Sequence, residues 1–220
     1  MRAFAEILAI AAARKGSAEA VLAGAAPVKS AAELAAIPDD RWLAQMAKGI
    51  FQAGISWSVV EAKWPGIEAA FHGFAPGRVA LIEGDELDAL LSDPRVIRSG
   101  AKIVAIRDNG VELAANPGLG RRVADWPASD FAGLLADLNA RFSRLGGNTG
   151  AYMLRFMGKE GFLLSRDVVA RLQEEGVIAG PATSAKALKA VQAAFNAWQA
   201  ESGLTLTQIS RVLAQSIDAG

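Results

Sequence analysis

The 220-residue sequence contains no cysteine, one histidine and one tyrosine. Without cysteine there is no disulfide framework and no thiolate chemistry. With His72 as the sole imidazole, a zinc site of the usual nitrogen and sulfur ligands cannot be assembled, so neither a metal nor a cofactor is expected. A Ser-His-Asp triad would have to use His72, and nothing near it suggests a nucleophile. In AFHGF it reads as a local hydrogen-bonding residue at a helix end. Long hydrophobic runs are missing too. None reaches the ~18–20 apolar residues that span a bilayer. The first residues, MRAFAEILAIAAARKG, are interrupted by Glu6 and read as an amphipathic helix, not a signal peptide. An excess of charge is also absent: 23 Lys and Arg balance 23 Asp and Glu. A neutral chain is not an obvious nucleic-acid binder, so binding of that kind needs a local patch. The expectation is a cytoplasmic protein with no membrane partner.

What is present is helical. Hydrophobic residues make up 52% of the chain, much of it alanine, and β-branched runs are few, which favours helices. Ten segments place apolar residues three or four apart: FAEILAIAAA, RWLAQMAKGIF, SVVEAKW, DELDALLS, AKIVAIRDNGVELAA, SDFAGLLADLNARF, TGAYMLRFM, DVVARLQEEG, AKALKAVQAAFNAWQAES and TQISRVLAQSI. Start signals sit at Pro38-Asp39-Asp40, Ser129-Asp130 and Ser165. Stop signals sit at Gly73, Gly110, Gly176 and Gly203. No segment alternates with period two. The expected fold is all-α, about ten short helices joined by tight turns, in one domain over residues 1–220.

Two basic segments offer the patch that the whole chain lacks. Residues 93–107 set Arg95, Arg98, Lys102 and Arg107 against Asp93. Residues 141–171 set Arg141, Arg144, Arg155, Lys159, Arg166 and Arg171 against Glu160 and Asp167. Solvated helix faces explain such segments as well as a ligand does. Three further features admit two readings each. In LGGNTG, Gly146 and Gly147 let the backbone approach a ligand closely, and the helix that follows offers N–H groups and a positive dipole end to an anion; the plain reading is a turn. Asp167 either serves a working site or complements the first turn of a helix capped by Ser165. In FQAGISW a helix ends at Lys48-Gly49 and a tight loop follows, with Ile55 beside Trp57. Such a loop suits an apolar wedge and a base-holding aromatic, and it equally suits core residues joining two helices. The five tryptophans read mostly as packing residues.

These pieces, in this order, resemble the bacterial DNA-3-methyladenine glycosylase I (Tag) family, within the helix-hairpin-helix DNA glycosylase superfamily. The run from FQAGISW to AKIVAIRDN, residues 51–109, is similar to that family's QAG loop, its F-x-x-FH-x-F-x-P segment and its IIR-x-x-x-KI-x-A stretch. RLGGNTGAYMLRFMGKEGFLLSRDVV resembles the hairpin and following helices of the wider superfamily, placing the helix-hairpin-helix near 134–176. The resemblance implies a two-lobed helical fold that binds double-stranded DNA with a damaged base, flips the base and hydrolyses its N-glycosidic bond. By matching position, Ile55 is the wedge, and Trp57, with Phe51 and Gln52, serves the base pocket. Gly146, Gly147, Asn148 and Thr149 hold phosphate, with Arg144 and Lys102 adding backbone contacts, and Asp167 is the catalytic aspartate. It further implies a monomer acting in the cytoplasm at the bacterial nucleoid.

The chain also departs from the pattern. Tag places a pocket glutamate three residues before the glutamine of its QAG loop; here that position is Gly49. The Tag zinc ligands and its N-terminal aromatic and histidine motif are absent. Bifunctional superfamily members carry a hairpin lysine where this chain has Asn148, which argues against Schiff-base chemistry. The expectation is therefore a monofunctional glycosylase acting on an alkylated purine such as 3-methyladenine, with Asp167 as its carboxylate. A non-catalytic binder of damaged DNA with the same fold is the alternative.

Overall fold

Segments with apolar residues at helical spacing do fold as helices, and the ten periodic runs all appear in the computed structural model, which describes residues 1–218. In chain order the α-helices are α1 Phe4–Lys15, α2 Ala18–Ala23, α3 Ala31–Ala35, α4 Asp39–Gln52, α5 Trp57–Ala70, α6 Pro76–Val79, α7 Gly84–Ser92, α8 Gly100–Ala115, α9 Leu119–Asp125, α10 Phe131–Arg141, α11 Asn148–Met157, α12 Arg166–Glu174, α13 Ala185–Ser202 and α14 Leu206–Gln215. Two 3₁₀ turns, His72–Phe74 and Ala128–Asp130, complete the set, and no strand occurs among the described residues. The all-α expectation holds. The four helices missing from the periodic pattern, α2, α3, α6 and α9, have seven residues or fewer. Two turns are too few to display a 3.6-residue repeat.

Two glycines read as helix ends lie inside helices instead. Gly110 sits within α8, where a Cβ would come within 2.8 Å of the Val79 side chain and 3.2 Å of the Ala80 nitrogen. Gly49 sits within α4, where a Cβ would lie 3.3 Å from Cγ2 of Thr149. At both, another helix passes close, and at Gly110 the approach leaves no room for a Cβ. Gly203 is a true stop, closing α13 in the left-handed conformation. Ser165 caps α12 by accepting from the Val168 N–H at 3.3 Å. Asp39 lies in the first turn of α4 and spends its carboxylate elsewhere, accepting from the N–H groups of Gly118 and Leu119 at 2.7 and 2.9 Å.

The chain divides into two compact units, and α10 and α11 each contribute residues to both. The first comprises Met1–Lys29, Trp126–Leu134 and the chain from Leu154 onward. Its core is a run of rings. Phe131 and Phe162 meet edge to face at 4.9 Å, Phe162 stacks on Phe195 at 4.5 Å, and Phe195 meets Trp198 at 5.9 Å. The second comprises Ser30–Asp125 and Leu135–Met153. There Phe51 meets Phe71 edge to face at 6.4 Å, Phe71 stacks on Phe74 at 5.4 Å, and Phe74 stacks on Trp64 at 5.5 Å. Burying each such ring contributes about 1.5–3 kcal/mol. His72, Gly73 and Phe74 are all left-handed, and Arg41 pins this tight segment by donating to the Gly73 carbonyl at 2.7 Å. No helix among the described residues is long and apolar enough to cross a membrane.

Candidate nucleic-acid interface

The second unit gathers most of the residues singled out in the sequence. Its centre is the loop between α4 and α5. Gly54 takes a left-handed turn there (φ +77°), and the Ile55 N–H donates to the Gln52 carbonyl at 3.3 Å. The last carbonyls of α4 would otherwise be orphaned at the helix end. Lys102, near the start of α8, takes up two of that end's carbonyls, donating from Nζ to Phe51 at 3.1 Å and Ala53 at 2.6 Å. Burial, and then the charge of Arg144, hold the Lys102 ammonium below its ordinary pKa. Ile55 is half-buried at this loop, and Trp57 opens α5 with 46% of its surface exposed. An exposed tryptophan needs a partner to hold one orientation. The Tyr152 ring supplies it edge-on, with centroids 5.7 Å apart. Phe51 is fully buried behind the loop, and Gln52 ends α4 with 8% of its surface exposed.

Tyr152 belongs to α11, the helix that leaves the glycine hairpin. Arg144 bends the chain out of α10 at φ +60°, and Gly147 bends it again at +58° before α11 begins at Asn148. The Gly150 N–H closes on the Leu145 carbonyl at 3.1 Å and the Thr149 N–H on that of Gly146 at 3.3 Å. Gly146, Gly147 and Asn148 are exposed, while Thr149 is half-buried against α4. The hairpin is clamped to α8. Asn109, 1% exposed, donates from Nδ2 to the Ser143 carbonyl at 3.2 Å and accepts the Ser143 N–H at 2.7 Å. Arg144 adds a bond from Nε to the Ala101 carbonyl at 3.2 Å. Loop, tryptophan and hairpin thus form one braced assembly within the unit.

Asp167 belongs to the other unit, half-buried in the first turn of α12. The basic segments are thinner than their sequence balance. Arg95 pairs with Asp93, Arg107 with Asp108, Arg141 with Glu112, and Arg171 with Glu174 and Glu175. All but one of those acids fall outside the spans counted in the sequence, so folding neutralises cations that looked free. Arg98, Arg144 and Arg166 remain exposed. His72 bonds Glu86 from Nε2 at 2.6 Å. Sequence reasoning missed Tyr152, Asn109 and Glu61. Tyr152 and Asn109 act through contacts between distant segments, while Glu61, four residues after Trp57 on one face of α5, accepts from Lys48 Nζ at 2.8 Å.

A loop with an apolar tip and a braced, half-exposed tryptophan thus stands beside a glycine hairpin that opens a helix. Residues 36–117 match the methyladenine glycosylase family, and the matched segment lies within the second unit. DNA-3-methyladenine glycosylase 1 of Escherichia coli K12 is 40% identical over 58 residues, 26% of this chain and 31% of that protein. DNA-3-methyladenine glycosylase of Haemophilus influenzae is 33% identical over 75 residues, 34% of this chain and 40% of that protein. The chain therefore spans about a third of the length of these curated relatives. The crystal structure of 3-methyladenine DNA glycosylase I (TAG) aligns with 61% of this chain and 80% of its own, at 25% identity and a TM-score of 0.46.

Proposed function

We propose that this protein is a monofunctional DNA glycosylase of base excision repair, acting in the cytoplasm as a monomer on duplex DNA that carries an alkylated purine such as 3-methyladenine. One observation carries the reading: a half-exposed tryptophan, fixed by Tyr152 at the start of α5, stands beside a lysine-braced loop and the glycine hairpin. Base extrusion asks for this equipment. Ile55 fills the vacated stack, and Trp57 stacks on the extruded base, with Phe51 backing it from the core and Gln52 at the base edge. A cationic alkylated purine gains further attraction to the indole face. The hairpin from Gly146 to Thr149 holds phosphate without reading sequence, with Arg144 beside it.

Alkylation has already made the purine a leaving group. The N-glycosidic bond breaks with its electron pair going to the base, leaving an oxocarbenium-like sugar. The Asp167 carboxylate stabilises that cation and takes the proton of the water that adds to C1′. Asp167→Asn keeps the shape and removes the charge. Base release from alkylated DNA should slow by about 10²-fold or more; an equally fast variant removes Asp167 from the chemistry. The Gly49–Thr149 contact favours a second reading, a non-catalytic binder of damaged DNA, because a side chain at the place of the Tag glutamate would start 3.3 Å from the Thr149 methyl. Mass spectrometry of bases released from methylated DNA separates the two, since a single turnover excludes the binder.

A further inference from the structure

Beside Trp57, the second unit contains a polar relay that runs from Gln52 to two residues, Glu61 and Lys48, to which the glycosylase chemistry above gives no part. Gln52 donates from Nε2 to Glu61 Oε1 at 3.5 Å. Glu61 Oε2 accepts from Lys48 Nζ at 2.8 Å, and that ammonium lies 5.0 Å from the centre of the Trp64 ring. Glu61 stands one helical turn after Trp57 on α5, so the two project from the same side of the helix. The chemistry of this relay has a direction. A carboxylate paired with lysine accepts hydrogen bonds and donates none, so it holds the amide end of Gln52 and turns the carbonyl end away. Gln52 Oε1 has no hydrogen-bond partner among the described residues, yet it is not sealed from solvent. Gln52 is thereby an oriented acceptor, two residues from the wedge loop's left-handed Gly54.

We propose that Glu61 is a positioning residue that locks Gln52 as a hydrogen-bond acceptor for the extruded base, selecting purines with an exocyclic amino group at position 6 over those with a carbonyl there. Adenine-type bases present a donor at that position and guanine-type bases an acceptor. An acceptor facing an acceptor leaves both unpaired, which a half-buried site disfavours. The inference rests on the glycosylase reading and narrows its substrate.

The test is the ratio of 3-methyladenine to 3-methylguanine released from methylated DNA, measured by mass spectrometry for wild type, Glu61→Ala, Gln52→Leu and the double variant. Glu61 has 54% of its side chain exposed, so its removal leaves the fold intact and decides the matter even if Gln52→Leu fails to fold. The wild type should favour 3-methyladenine, and the ratio should fall about tenfold in either single variant, worth about 1.4 kcal/mol. The double variant should fall no further than Gln52→Leu, because Glu61 acts through Gln52. A merely structural Glu61 would lower overall turnover and leave the ratio unmoved. An unchanged ratio in Glu61→Ala, or losses that add in the double variant, overturns the inference and leaves the glycosylase reading standing. Failure of the wild type to release any base overturns both.

Discussion

At the scale of single residues, Gly49 has the sharpest consequence. Its α carbon faces Thr149 so closely that a Cβ would sit 3.3 Å from Cγ2. Alanine there needs a shift of a few tenths of an ångström but gains about 1 kcal/mol of helix propensity over glycine. The two effects nearly cancel, and Gly49→Ala should unfold within about 1 kcal/mol of wild type. Glutamate has no such room. Gly49→Glu should cost about 1–3 kcal/mol through overpacking, and Thr149→Ala in the same chain should recover part of the loss. Urea unfolding of the four proteins checks this. A fully stable Gly49→Glu single variant would mean that the contact is slack. Whether that position can hold a carboxylate is therefore decided by Thr149, a residue 100 positions further along the chain.

At the scale of elements, the hairpin's order comes from its clamp. Asn109, itself buried, offers one donor and one acceptor to the Ser143 backbone. Asn109→Ala strands those backbone groups, with a cost of about 2–3 kcal/mol, and unfolding in urea should show it. An equal melt would mean the hairpin holds itself. Arg144 is a different case. Its left-handed backbone costs an arginine about 1 kcal/mol or more, and glycine would relieve that while adding about as much chain entropy to the unfolded state. Arg144→Gly should leave stability within about 1 kcal/mol. Duplex affinity should fall, and the slope of log affinity against log salt should flatten by about 0.9, one phosphate contact. An unchanged slope would remove Arg144 from the DNA surface. Of these arrangements, the hairpin's place between two helices was legible in its glycines and its flanking periodicity. The clamp was not, because Asn109 stands in an ordinary polar position of a helical pattern and only packing shows that it is buried.

At the scale of the whole molecule, the net charge of zero does not mean that charges are evenly spread or idle. In the first unit, Arg2 brings the start of the chain onto α12, its backbone N–H bonding Glu175 at 2.8 Å and its guanidinium at 2.5 Å. Burial works to raise the Glu175 carboxyl, but the Arg2 bonds and charge and the Arg171 guanidinium outweigh it and hold the group below its ordinary value of 4.5. A depressed carboxyl stabilises the fold above its unfolded pKa and ceases to do so as pH falls through the folded one. The contribution is thus present at neutral pH and is lost in acid, starting below pH 4.5. Glu175→Gln should be less stable than wild type at neutral pH by about 1–3 kcal/mol, and the gap should close in acid. Thermal melts from neutral to acidic pH check it; a constant gap would mean that hydrogen bonding alone, without charge, ties Arg2 to Glu175.

By itself the sequence determined the helical class, ten of the helices, the loop at residues 52–57 and the hairpin at 144–149, because these rest on local physics. Apolar spacing, capping at Ser165 and left-handed glycines act within a few residues and are written in consecutive letters. Only the tertiary structure decided which glycines end helices and which admit a neighbour. It also decided that Glu112 folds against Arg141 and that Tyr152 braces Trp57. Those outcomes depend on groups brought together from distant parts of the chain, and no window of residues contains both partners.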